Sequence, residues 1–206
     1  MPALEHALRS LTERHCTLRS SFSLHDGEVR QIIHPAAPFS LRVEPLGDRD
    51  EGAVLSEMLA REHAMPFDLD DGMLIRACLL RVATDEHLIV LAYHHIAADG
   101  WSASVIARDL AELYNAHHGG RPPQLPEIPA QYHDYAAWQS RGLSGPRADG
   151  MRDYWREQLD GIEPLDLPSD RPRSATTSHP GDTFTLEVDA ELLAPYAELC
   201  RAEGAT

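Results

Sequence analysis

The chain has 206 residues, of which 43% are hydrophobic and 25% are charged, as in ordinary globular proteins and unlike disordered ones. Its 33 acidic residues outnumber the 18 basic ones and give a formal net charge of −15, which argues against a nucleic-acid partner because such binding needs clustered Lys and Arg. No apolar stretch approaches the length of a membrane helix and the start lacks a signal-peptide core, so a membrane partner is not expected.

The first part of the chain alternates between helical and extended patterns. Leucines at the spacing of one helix face predict a helix over 3–15. The segment SSFSLHDGEVRQIIHP alternates apolar and polar residues before Asp26-Gly27, which predicts a hairpin that turns at this pair. A short strand near 40–44 and a helix over about 49–63 are expected to follow.

The middle of the chain carries the strongest strand signals. A strand is expected around 73–82, and the apolar run HLIVLAYHH, which begins at His87, predicts a strand buried on both faces. Apolar residues then recur at helical spacing in three segments. These predicted helices run from Gly100 to near Gly119, over about 129–141 and over about 147–160.

The last part of the chain changes in composition. Residues 161–180 are rich in Pro, Ser, Asp and Arg, which predicts an irregular linker. After it, TFTLEV predicts a strand and 190–203 a helix. The order of elements predicts an α/β fold (an α+β arrangement of two layers), with a mixed sheet backed by helices and with 161–180 as the boundary.

A metal site is not expected from the histidines and cysteines. His94 and His95 are adjacent, and neighbouring side chains of an extended strand point to opposite faces, so the two cannot chelate one ion together. Cys16, Cys78 and Cys200 are odd in number and far apart, a pattern typical of free thiols in a reducing cytosol. We therefore expect a cytoplasmic protein.

The stretch HHIAADGWS at 94–102 lies where a predicted strand leads into a helix, a place where α/β proteins put their sites. Asp99 fits the N-cap of a helix that begins near Trp101. A neutral histidine in the same stretch can act as a base or as a hydrogen-bond acceptor near pH 7. From these residues alone, the capping role and the chemical role both stay open.

Longer segments resemble the condensation domains of nonribosomal peptide synthetases, members of the chloramphenicol-acetyltransferase-like fold. The family's HHxxxDG signature is present as His94, His95, Asp99 and Gly100. RHCTLRSSF at 14–22 is similar to the family's RHExLRTxF, with Cys16 in place of Glu and Ser20 in place of Thr. PFDLDDGMLIRACLLRV, YHDYAAWQ, and YWREQLDG with LPSDRPR match further family segments in the same order.

The resemblance implies a fold of two lobes, each a sheet backed by helices, with the active site in a tunnel between them. Residues 1–160 then correspond to the N-terminal lobe without the family's opening strand, 161–180 to a linker, and 181–206 to the beginning of the C-terminal lobe. On this interpretation the chain lacks half of the tunnel, so whether the chain by itself is an enzyme stays open.

The resemblance also implies the chemistry and the partners. A full domain joins a carrier-bound acyl or peptidyl thioester donor to the amine of a carrier-bound aminoacyl acceptor and forms an amide. The partners are donor and acceptor peptidyl carrier proteins and the adjacent synthetase domains. The substrates travel on the 4′-phosphopantetheine arms of those carriers, and the domain itself binds no cofactor.

The resemblance assigns roles to individual residues. His95 takes the catalytic position, either as a base for the attacking amine or as the group that orients it. Asp99 is expected to support the loop through a buried ion pair with Arg19, with His94 and Gly100 as further support and with Gly100 allowing a close approach. Trp101 and Ser102 are candidates for substrate binding. The helical spacing of aromatic residues predicts core packing instead for Trp101, Tyr132, Tyr135 and Trp138.

Two other functions fit the same sequence. Coenzyme A-dependent acyltransferases of the superfamily use HxxxDG with a free alcohol or amine, although the doubled histidine, DGWS and YHDYAAWQ favour condensation. Epimerisation relatives share the histidine pair but continue differently after DG. A remnant that binds a carrier protein without catalysis is the third possibility, because half of the tunnel is expected to be missing.

Overall fold

The computed structural model describes residues 2–163, 165, 168 and 184–205. The chain divides into two compact units, Met1–Gln158 and Leu159–Thr206. Most of the linker expected at 161–180 lies outside the described residues. In the part of the chain that is described, every helix is too short or too polar to cross a membrane.

The order of helices and strands follows the sequence prediction up to the end of the first unit. The helices are α1 (Pro2–Arg14), α2 (Glu51–Ala64), α3 (Gly100–His118), α4 (Tyr132–Gly142), α5 (Pro146–Gln158) and, in the second unit, α6 (Ala190–Glu203). The strands are β1 (Ser20–His25), β2 (Glu28–Ile33), β3 (Arg42–Pro45), β4 (Ile75–Arg81) and β5 (His87–Tyr93). A 3-10 turn at Cys16–Arg19 joins α1 to β1.

The strands form two sheets in the first unit. Strands β1 and β2 make the predicted antiparallel hairpin, in which Asp26 and Gly27 take the positive φ values of 51° and 82° that a tight hairpin turn requires. The second sheet has the order β3-β4-β5, with β3 parallel and β5 antiparallel to β4. The register pairs Ile75 with Tyr93, so the start of β4 lies beside the end of β5.

Helices cover both faces of the three-stranded sheet. Helices α1 and α3 pack with Ile75 and Ala77 of β4 in one core cluster, whereas Val54 and Met58 of α2 pack with the alternate residues of β4 and with β5 in a second one. Side chains of a strand alternate between faces, so the two clusters lie on opposite sides of the sheet. The α/β class with a mixed sheet is confirmed, and the layers are helix, sheet and helix where two layers were expected.

Strand β5 is less buried than its apolar sequence predicts. Only Val90 is buried, and Ile89 is 38% exposed, so the prediction of burial on both faces is wrong. Among the described residues β5 pairs with β4 alone, and His87, Ile89 and Leu91 line an apolar cavity of about 400 Å³ between the sheet and α3. The side of β5 that faces α3 is therefore only partly covered.

The prediction of a strand at TFTLEV is also wrong for residues 184–188, the part of this segment that the structure describes. Residues 184–188 have no regular secondary structure. Phe184 and Leu186 are 88% and 71% exposed. Alternating apolar residues form a strand only where a neighbouring strand supplies the hydrogen-bond ladder and a covered face, which a local pattern does not guarantee. The helix expected over 190–203 is present as α6.

Candidate functional site at the turn between strand β5 and helix α3

The turn after β5 is anchored by His94. Its backbone N–H donates to the carbonyl of Leu74 at 3.1 Å, which extends the contact between β4 and β5 by one residue. Its carbonyl accepts from the N–H of Ala97 at 2.9 Å, and its Nδ1 accepts from the N–H of Ile96 at 3.0 Å. The side chain is half-buried. His94 therefore fixes both the start of the turn and the direction in which it continues.

His95 is the next residue and lies in the turn itself, with its side chain exposed. Within the described residues, its imidazole makes no hydrogen bond, so both ring nitrogens are accessible. An imidazole in this state can accept a hydrogen bond or a proton from a molecule that approaches the turn.

Asp99 closes the turn as the N-cap of α3. Its Oδ1 accepts from the N–H of Ser102 at 2.9 Å and from the Ser102 hydroxyl at 2.6 Å, while its own N–H donates to Ser102 Oγ at 3.2 Å. These bonds form a reciprocal capping box. The hydrogen bonds from Ser102 hold the pKa of the exposed Asp99 carboxyl below its usual range. The capping role predicted for Asp99 is confirmed.

The ion pair expected between Asp99 and Arg19 is wrong. Arg19 directs its guanidinium to backbone carbonyls, with Nε donating to Thr12 at 2.8 Å and other nitrogens donating to Glu13 and His34. Arg19 thus connects the end of α1 to the residue after β2, and three of its five N–H donors point to these backbone carbonyls. Gly100 is the first residue of α3, and a Cβ added there would meet no atom of the described residues within 4 Å. Contacts within the described residues therefore do not require a glycine at this position.

Asp109 holds two arginines and a histidine, although the sequence motifs do not single it out. Arg14 Nε and His15 Nε2 each lie 2.9 Å from its Oδ2, and Arg108 donates to its Oδ1 at 2.8 Å. Asp109 is completely buried. Burial raises the pKa of this carboxyl, but hydrogen bonds from Arg108, Arg14 and His15 outweigh burial and leave the pKa below its usual range.

Cys16 links two of the sequence motifs. Its thiol lies 2.9 Å from Gln131 Oε1 and 3.5 Å from His133 Nδ1, at the start of α4. Gln131 also donates through Nε2 to the carbonyl of Arg14 at 2.9 Å. Burial raises the pKa of the Cys16 thiol, so it is a weakly acidic structural group. The RHCTLRSSF and YHDYAAWQ segments are therefore in direct contact.

A small cavity of about 120 Å³ opens beside the turn, at the first turns of α3. Its lining residues are His15, Thr17, Leu18, Ala97, Ala98, Trp101, Ser102, Val105 and Ile106. The lining is largely apolar, with His15 connecting it to the Asp109 cluster. Trp101 and Ser102 thus lie at a surface that can contact a small apolar group.

Aromatic core packing is not what the structure shows. Trp101 is 83% exposed, and on α4 Tyr132, Tyr135 and Trp138 are 60%, 46% and 64% exposed. The α4 rings contact one another along the helix, with centroids 5.8 and 5.6 Å apart. Since each ring is one helical turn from the next, the helix can pack its aromatic residues together without burying them.

The whole chain, residues 1–206, matches the family model described as the condensation domain. The chain belongs to the condensation domain family. This condensation domain chain is 44% identical over 208 residues to a linear gramicidin synthase protein of Brevibacillus parabrevis, covering 99% of the chain and 3% of that relative. The relative is therefore a far longer protein.

Solved structures show the same fold. The X-domain from teicoplanin biosynthesis superposes with a TM-score of 0.86 at 35% identity, covering all of this chain and 46% of that chain. The starter condensation domain of rhizomide synthetase superposes with a TM-score of 0.68 at 25% identity over 76% of this chain and 38% of that one. This condensation domain chain thus spans less than half the length of these solved chains, and the resemblance to the chloramphenicol-acetyltransferase-like fold is confirmed.

Proposed function

We propose that this chain supplies the histidine-bearing part of a condensation domain that forms amide bonds in nonribosomal peptide synthesis. The observation that carries the proposal is that His95 is exposed and makes no side-chain hydrogen bond among the described residues, in a turn that His94 and Asp99 hold from both sides. A reactive imidazole needs at least one ring nitrogen that a substrate can reach and a backbone that is held in place, and the exposed side chain and hydrogen-bonded turn of His95 meet both conditions.

The proposed reaction needs no cofactor, because the bonds and protons that change are all supplied by the two substrates. The amine nitrogen of a carrier-bound aminoacyl acceptor forms a bond with the thioester carbonyl carbon of the donor, and the carbon–sulfur bond to the donor's phosphopantetheine breaks. The nitrogen loses one proton and the departing sulfur takes one up. His95 accepts a hydrogen bond from the attacking amine, orients it towards the carbonyl and can receive its proton.

The partners follow from this chemistry. Both substrates are thioesters on the 4′-phosphopantetheine arms of donor and acceptor peptidyl carrier proteins, and adjacent synthetase domains deliver those carriers. We propose that Trp101 and Ser102 contact substrate, which their position in the wall of the small cavity supports. We further propose that the reaction takes place in the cytoplasm, since the cysteines of the chain are free.

The experiment compares products from defined substrates. The protein encoded by the complete gene that contains this sequence, and the 206-residue chain by itself, are each incubated with one carrier loaded with an acyl donor and one loaded with an aminoacyl acceptor. We expect a carrier-bound amide from the complete protein, detected by mass spectrometry. Transfer from a coenzyme A ester to a free amine or alcohol would show an acyltransferase instead. Carrier binding without product from both proteins would show a non-catalytic module.

A further inference from the structure

Phe67, in the PFDL segment, lies between an arginine and the first histidine of the motif. The Arg76 guanidinium carbon lies 3.8 Å from the centre of the Phe67 ring, which is the geometry of a cation–π contact. The Phe67 ring also contacts the His94 ring edge to face, with the two ring centres 6.0 Å apart and the ring planes at 85° to each other. The PFDL segment is thereby connected to the turn that carries His95.

Arg76 is held firmly on the face of β4 that packs against α2. Its Nε lies 3.2 Å from Glu62 Oε2, and its remaining nitrogens donate to the carbonyls of Glu62, Met65 and Pro66 at 2.8–3.1 Å. The Glu62 side chain is only 6% exposed. The Arg76 side chain thus holds the backbone of Met65 and Pro66, which immediately precede Phe67, and it also covers the Phe67 ring.

His94 needs a defined ring position for its own role. The bond from the Ile96 N–H to Nδ1 requires Nδ1 to be the unprotonated nitrogen, and the ring has to lie over the turn. Phe67 limits the space in which this ring can rotate. If Phe67 moved, the His94 ring could leave Ile96, and the turn would lose one of the bonds that determine where His95 points.

We propose that Arg76 is a positioning residue, which acts through Phe67 on the His94 ring and so on the placement of His95. The proposal rests on the proposed function of His95. Arg76 does not contact the reacting atoms, and its effect depends on the orientation of two aromatic rings.

The chain offers a matched control for Arg76. Arg42 is the second arginine on Glu62, bonded to Oε1, and it also lies 3.2 Å from Glu44. Arg42→Gln removes one of the two Glu62 ion pairs, as Arg76→Gln does, and leaves Phe67 untouched. Because each variant keeps one arginine on Glu62, neither leaves that buried carboxylate without a partner.

The test measures the His94 ring directly in the 206-residue chain. Side-chain ¹⁵N and ¹³C resonances of His94, assigned by their absence in His94→Asn, are compared for Arg76→Gln, Phe67→Leu and Arg42→Gln. We expect the first two to shift these resonances towards a mixture of ring tautomers and the control to leave them in place, even where its unfolding temperature falls as far. Phe67→Leu decides the question if Arg76→Gln does not fold. Unchanged His94 resonances in the folded Phe67 variant, or equal shifts in the control, would overturn the proposal.

A kinetic comparison in the protein from the complete gene separates this proposal from the proposed function. We expect Arg76→Gln and Phe67→Leu to lower kcat for amide formation by about tenfold to a hundredfold with little change in KM, since misplacement of a reacting group has this effect. The control is expected to stay within about twofold. Absence of amide product from the unmodified protein contradicts the proposed function, while the resonances of His94 still decide whether Arg76 positions its ring.

Discussion

Replacement of Asp109 by Ala tests whether the cluster around this buried carboxylate stabilises the first unit. The substitution removes the partner of Arg14, His15 and Arg108 at once. Asp109 is completely buried, whereas the side chains of Arg14, His15 and Arg108 are 19%, 20% and 60% exposed. The positive groups can therefore regain some contact with water after the substitution.

The size of the stability loss depends mainly on the two partners of Asp109 whose side chains are largely buried, Arg14 and His15. Loss of one member of a buried ion pair costs about 3–5 kcal/mol, and each hydrogen bond to a charged group contributes about 1.5–3 kcal/mol. Arg108 is mainly exposed and contributes little. Counting only Arg14 and His15, we expect Asp109→Ala to lower the free energy of unfolding by about 3 kcal/mol, which corresponds to a fall in Tm of about 6–12 °C for a chain of this size.

The assay is chemical and thermal unfolding followed by circular dichroism, with Asp153→Ala as the control because the Asp153 side chain is 70% exposed. The pH dependence gives a second check, made with Asp109→Asn. The folded-state pKa of Asp109 is below its usual value, so its stabilisation is fully present above about pH 4 and is lost as the pH falls through the folded-state pKa. The difference in the free energy of unfolding between Asp109→Asn and the unmodified chain should therefore become smaller as the pH falls below about 4. Equal stability of Asp109→Ala and the Asp153 control, or a difference that widens in acid, would refute the reasoning.

Two other predictions concern a glycine and the thiols. Gly72 has a φ of +85°, and a Cβ there would overlap the His34 ring, so Gly72→Ala should lower the free energy of unfolding by about 2–4 kcal/mol. Gly27→Ala has a similar φ with no atom within 4 Å and should cost about 1 kcal/mol; equal losses in urea unfolding would contradict the overlap. Cys200 should react quickly with a thiol reagent in the folded chain, whereas Cys16 and Cys78, which are 3% and 0% exposed, should react only as the first unit unfolds. Simultaneous reaction of all three would show that the two buried thiols are accessible.

Local patterns predicted the elements of the first unit well because each depends on nearby residues. The hairpin is specified by Asp26-Gly27 between two alternating strands, and α1 is specified by leucines on one face. The cap of α3 is predicted in the same way from Asp99, a preferred N-cap residue, and the structure adds the reciprocal bonds to Ser102. The candidate site was found from its motif, and its turn has the expected position between strand and helix.

Local sequence patterns do not predict which residues that are distant in the chain contact one another. Asp99 and Asp109 lie at the start and in the middle of α3, and charge alone does not say which one faces inwards. One signal was available: Asp109 lies three residues after Ile106 and four before Leu113, on the apolar stripe of α3, where a charged residue needs a partner. The burial of β5 also depended on what covers the strand, which its own apolar sequence does not specify.

The measurement that tests the central claim most directly is the rate of carrier-bound amide formation by the His95→Ala variant of the protein from the complete gene. His25→Ala, in the exposed end of the hairpin, serves as the matched control. We predict a loss of at least about a hundredfold for His95→Ala, with an unchanged unfolding temperature, and no loss for His25→Ala. Undiminished amide formation by His95→Ala would contradict the account.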